Sequence, residues 1–100
     1  MEFLVRFTWT VPAGLADEQW SAIRAAERAR GRELMTGGTM KRLWRLPGKR
    51  SVVGLFEVAD GTELDQVLLG FPMHPYCEVE VEALGKHPLE VALESDATAP

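Results

Sequence analysis

One hundred residues with a net charge of −4 make one small, mildly acidic domain. That balance excludes a sequence-independent grip on nucleic-acid phosphate, which needs a dominant positive field, and the lone cysteine, Cys77, excludes an intrachain disulfide or a thiolate metal cluster. No apolar run approaches the ~18 residues that span a bilayer, and "MEFLVRFTW" lacks the basic region and cleavage site of a signal peptide, so a cytoplasmic protein without a membrane partner is expected.

Residues 2 to 10 alternate, Phe3, Val5, Phe7 and Trp9 against Leu4, Arg6, Thr8 and Thr10, which is the period of a half-buried strand. "VPAGLADEQ" breaks the pattern; Asp17 is the expected N-cap of a helix that runs to about Met35 and stops at "TGG". A second strand is expected from about Met40 to Leu46, with "PGKR" as the turn into a third, "SVVGLFEV". Thr62 to Leu69 carries Leu64, Val67 and Leu68 at helical spacing before Gly70 and Pro72 end it, and "YCEVEVEAL" alternates again.

The order βαββαβ implies the α+β class: an antiparallel sheet with both helices on one face, the ferredoxin-like arrangement. Two helices cover one face only, so the apolar residues of the other face need a second subunit, in a dimeric α/β-barrel-type association. Residues 1–90 are expected to form the domain, and 91–100, ending "ESDATAP", a C-terminal arm or disordered tail.

One acid stands out. At about 100° per residue Glu27 lies within roughly 20° of Trp20 and Leu34 and roughly 40° of Ile23, so it points the same way as the apolar anchors of its helix. A carboxylate so placed loses hydration and its pKa rises, which produces a base suited to neutral pH. The competing reading is a structural acid paired with Arg24, Arg28 or Arg30.

"KRLWRLPGKR" gathers cations around Trp44. Regular alternation places Arg42 and Trp44 on one face with Met40, and Lys41, Leu43 and Arg45 on the other. An Arg beside an aromatic suits a planar carboxylate, which makes Arg42, Trp44 and Arg45 candidates for substrate binding; the competing reading, preferred for Lys49 and Arg50 in the turn, is that these cations pair with the acidic row Glu78, Glu80 and Glu82 or face water. His74 and His87 each precede a proline, with no metal-ligand spacing between them, so no metal site is expected, and either could donate a hydrogen bond, shuttle a proton or simply hold a strand end. Cys77 alternates with valines and is read as packing.

"FLVRFTWTVP", "ERARGREL", "GTMKRLWRLPG" and "LLGFPMHPYCEVEVEALGKHP", in that order from Met1 to about Pro88, resemble the muconolactone delta-isomerase family. The resemblance implies a cofactor-free isomerase of aromatic catabolism, the beta-ketoadipate pathway, whose subunits pair through their sheets and assemble into larger rings, typically decamers. It implies conversion of muconolactone to the enol-lactone of 3-oxoadipate by moving one proton between ring carbons. A Glu stands at the position of Glu27 in the family, which assigns it as the base. His87 or Tyr76 is then the candidate to stabilise the enolate oxygen, and Arg42 or Arg45, with Trp44 and His74, to hold the substrate.

The chain departs from that pattern where polar residues of the family are replaced by Lys49, Arg50, Val52 and Val53, where Arg42 stands for a His, and where His74 stands for an apolar residue. A pocket made more apolar by such changes points to two further readings: a cyclase or tautomerase acting on a larger apolar metabolite, or a non-catalytic oligomeric binding protein.

Overall fold

In the computed structural model, which describes residues 1 to 98, the opening alternation becomes strand β1, Glu2–Trp9. Helix α1 follows at Asp17–Thr36, then β2 at Met40–Arg45, β3 at Ser51–Glu57, α2 at Gly61–Leu69, a 3-10 turn at His74–Tyr76, β4 at Cys77–Leu84 and α3 at Pro88–Thr98. The four strands form one antiparallel sheet in the order β2-β3-β1-β4, which is the ferredoxin-like topology. Helix α3 begins on Pro88, a residue whose fixed φ suits the first helical turn, and it occupies most of the segment expected as an arm or tail. The end of that segment, residues 99 and 100, lies outside the described residues.

The core forms where the buried half of β1 meets the helices. Phe3, Val5 and Phe7 pack with Phe56 of β3, Leu34 of α1, Leu64 and Leu68 of α2, and Phe71 of the loop beyond it. Phe71 sits edge-on against Phe7 at 5.5 Å between ring centroids, tying the α2–β4 loop to the sheet. Asp60 caps α2 by accepting the Glu63 N–H at 2.9 Å, while the Glu63 carboxylate accepts the Ala59 N–H at 2.7 Å.

Two local expectations change. The N-cap of α1 is Ala16, not Asp17; Asp17 and Glu18 occupy the first turn, where their charge favours the helix dipole, and the Gln19 side chain receives the Ala16 N–H at 3.0 Å. Strand β2 does not alternate regularly. Met40 pairs with Phe56 but Arg42 pairs with Leu55, so an irregularity at Lys41 adds one residue to this edge strand. Met40 therefore shares a face with Leu43 and Arg45, and the expected grouping of Met40 with Arg42 and Trp44 is corrected.

The sheet face away from the helices carries Leu4, Arg6 and Thr8 of β1, Val53 and Leu55 of β3, Arg42 and Trp44 of β2, and the glutamates of β4. Trp44 is 42% exposed there, with the Arg42 guanidinium 5.3 Å from its ring centroid. Helix α3 leaves Leu89, Val91 and Leu93 exposed and is held at its base by Lys86, whose ammonium reaches the Glu94 carboxylate at 2.7 Å. No helix among the described residues is long and apolar enough to cross a membrane.

Candidate active site

Between α1 and the sheet lies a cavity of about 380 Å³. Its helix side is Arg24, Glu27, Arg28, Gly31, Arg32 and Met35; its sheet side is Phe7, Trp9, Met40, Leu43, Arg45, Val52 and Cys77; Phe71 and Met73 close it from the α2–β4 loop. Gly31 contributes space. A glycine inside a helix costs about 1 kcal/mol relative to alanine, and a methyl group at this one would stand 3.8 Å from the Met40 Cε, inside the gap between helix and sheet.

Glu27 reaches this cavity because α1 turns its apolar stripe, including buried Leu34, toward the sheet. Its Oε2 accepts the backbone N–H of Met73 at 2.7 Å. The loop presents that donor in a turn stiffened by Pro72 and Pro75, in which His74 N–H donates to the Phe71 carbonyl and Tyr76 N–H to the Met73 carbonyl, both at 2.9 Å. Burial pushes the Glu27 carboxyl above the ordinary carboxylate range, against the opposing pull of the Met73 N–H and of charge on His74. Among the described residues Glu27 forms no ion pair. Arg30, one of the partners considered for it, instead meets Glu33 at 3.0 Å.

The arrangement combines one poorly hydrated carboxyl group with four guanidinium groups on an otherwise apolar wall. A single carboxylate that is not neutralised by an arginine can accept a proton from carbon, and the guanidinium groups supply donors for an anionic ligand or a developing oxyanion. Among the described residues no group of three or more His, Cys, Asp or Glu is placed to hold a metal ion.

Of the residues expected to carry catalysis or hold the substrate, the structure brings Glu27 and Arg45 to the same cavity. Arg42 and Trp44 stand on the opposite face of the sheet, because the extra residue at Lys41 sets the facing of the strand beyond it. His74 is half-buried and close enough for its charge to act on Glu27, yet it is not part of the cavity wall. Tyr76 also lies outside the wall, its ring 5.7 Å from that of Trp20 and edge-on to it. His87 is exposed, and its Nδ1 accepts the Leu89 N–H at 3.0 Å at the start of α3.

Sequence reasoning missed five contributors. Arg24, Arg28 and Arg32 recur at intervals of four and lie roughly 60°, 100° and 140° to one side of Glu27 on the helix, a signal that was available in the spacing. The Met73 N–H carried no signal at all, since every residue but proline has one. Cys77, read as packing, lines the cavity; burial and the nearby Glu27 charge push its thiol up to about 11, so it stays protonated at neutral pH.

A family model described as muconolactone delta-isomerase matches residues 1–90. The muconolactone delta-isomerase of Acinetobacter baylyi is 35% identical over 91 residues, covering 91% of this chain and 95% of that protein. The enzyme of the same name from Cupriavidus pinatubonensis is 32% identical, covering 91% of this chain and 99% of its own. Among solved structures, a crystal structure of muconolactone isomerase matches with a TM-score of 0.83 at 30% identity, across 88% of this chain and 92% of that one. With topology, length and sequence in agreement, this chain belongs to the muconolactone delta-isomerase family.

Proposed function

We propose that this protein is a cofactor-free isomerase that shifts a proton within an unsaturated lactone of the muconolactone type, with Glu27 as the base. The observation that carries the reading is the Glu27 carboxyl itself: half-buried, raised above the ordinary carboxylate range, fixed by one backbone N–H and unpaired with any arginine. The names of the relatives supply the reaction. In it the carboxylate takes the proton from the ring carbon bearing the carboxymethyl arm; the electron pair spreads through the conjugated double bond onto the lactone carbonyl oxygen. The same carboxyl group then returns the proton to the carbon beside that carbonyl, and the double bond moves one position, with no net gain or loss of electrons.

Two negative charges coexist at the dienolate stage, one on the acid arm and one on the carbonyl oxygen. Arg45 on the sheet side and the arginine row on the helix side are the donors that this chain supplies to them. His87 and Tyr76, proposed for the enolate from the family pattern, lie outside this chain's own cavity. The raised Glu27 pKa counts against the non-catalytic reading, because a scaffold that had lost its chemistry has no use for a desolvated carboxyl group.

We further propose a homo-oligomer in which a second copy covers the outer sheet face. Leu4, Val53, Leu55 and Trp44 give that face an apolar centre, with Arg6 and the β4 glutamates providing complementary charges around it.

The test is to mix the protein with muconolactone and follow the ultraviolet absorbance of the conjugated lactone. Turnover is expected, and Glu27→Gln is expected to reduce kcat by a factor of about 10² or more, in the range lost with a general base. Full activity in that variant would remove Glu27 from the mechanism.

A further inference from the structure

The cavity divides into a charged half and an apolar half, and the division bears on the size of the substrate. Charge is concentrated on the α1 side, where Arg24, Arg28 and Arg32 flank Glu27, and Arg45 is the one charged group contributed by the sheet. The rest of the sheet side, formed by Phe7, Trp9, Met40, Leu43, Val52 and the protonated Cys77, presents no charged group. Of the two valines at positions where the family pattern has polar residues, Val52 faces this cavity, opposite Arg45 in the ladder, whereas Val53 faces the outer sheet with Trp44.

A volume of about 380 Å³ falls in the range of pockets that enclose drug-sized ligands. A six-carbon lactone with a two-carbon acid arm is a smaller and more polar object. Its oxygen atoms would be drawn to the guanidinium groups, the three of the helix side and that of Arg45, leaving the wall at Trp9, Leu43 and Val52 facing water, an arrangement that apolar surface disfavours. A ring that also carried a flat apolar group would place it there and expel that water.

Resting on the reading of Glu27 as base, we infer that the natural substrate is a carboxylate-bearing enolisable lactone enlarged by an apolar substituent of about the size of a phenyl ring, seated against Trp9, Leu43 and Val52. The chemistry at the reacting carbons is the same, one C–H bond broken and one formed. The substituent sits on a ring carbon that neither loses nor gains the proton, so it contributes to binding and selection only.

The experiment compares two probes, muconolactone and muconolactone carrying a phenyl group on the ring carbon between the two that exchange the proton. Binding is measured by calorimetry to the full-length Glu27→Gln protein, in which the side chain keeps an oxygen for the Met73 N–H and no turnover intervenes. The phenyl lactone is expected to bind at least about tenfold more tightly. Narrowing the apolar wall with Val52→Phe is expected to reduce or reverse that ratio, and Leu43→Trp, at a more exposed position that tolerates bulk, gives the same readout if the first variant folds poorly. Equal or weaker binding of the phenyl lactone, or a ratio unmoved in the folded wall variants, overturns the inference. Proton exchange of both probes in deuterated water, followed by NMR with the unsubstituted protein, separates the two layers: tight phenyl-lactone binding without exchange overturns the base assignment and leaves the substrate class standing.

Discussion

Glu27 is held in a state that costs the fold something, and the cost has a sign. Burial raises its folded pKa, so the folded protein binds that proton more tightly than the unfolded chain does. Its contribution to stability is therefore greatest in acid and is lost as pH rises through the ordinary carboxylate range to the raised folded value. Glu27→Gln is expected to melt at a higher temperature than the parent near neutral pH, with the difference vanishing in mild acid; thermal unfolding at the two pH values checks it. With Glu27 as the proposed base, kcat/KM for muconolactone is expected to rise with pH along a limb whose midpoint lies above that of a free carboxylic acid. Cys77 provides an independent reporter. With its thiol pushed up to about 11 in part by Glu27, alkylation by iodoacetamide is expected to be slow at neutral pH and faster in Glu27→Gln, as mass spectrometry would read. At this scale the sequence disclosed the acid on the apolar stripe because helix geometry alone puts it there, but it hid what holds the acid, since a main-chain donor has no residue signature.

Individual elements were legible where side chains alone decide them and illegible where the backbone does. The alternation of Phe3, Val5 and Phe7 and the spacing of Leu64 and Leu68 each mark a buried face. The irregularity at Lys41 leaves no such mark, and it alone put Leu43 and Arg45, rather than Arg42 and Trp44, on the face that Met40 shares with the core. Helix α3 was missed for another reason: Leu89, Val91 and Leu93 are spaced by two and make no single buried stripe, so the helix stands exposed. Two substitutions test the packing of elements. Gly54 in β3 has no room for a side chain, because an added Cβ would stand 2.8 Å from the ring of fully buried Phe56 and 3.4 Å from the Met40 Sδ. Gly54→Ala is expected to cost about 1–3 kcal/mol in urea unfolding, the range for overpacking a core. Removing the α2 cap with Asp60→Ala is expected to cost about 1 kcal/mol by the same measurement.

At the scale of the whole molecule, the outer sheet face and α3 offer apolar surface that no other described residue covers. If a second copy covers the sheet, Trp44→Glu places a charge in the middle of that contact and is expected to lower the mass seen in sedimentation, while the Glu27 side of the sheet stays intact. The topology also dictates an order of assembly. Strand β1 lies in the middle of the sheet, yet it is made first, and its two neighbours are β3 and β4. A nascent chain that has released only β1 and α1 thus exposes a central strand with two bare edges, and its first β1 partner arrives with Ser51–Glu57. The cavity beside Glu27 is completed later still, when Phe71, Met73 and Cys77 leave the ribosome. Synthesis that stalls between those points leaves a half-built sheet with one open flank, the form of this protein most exposed to aggregation.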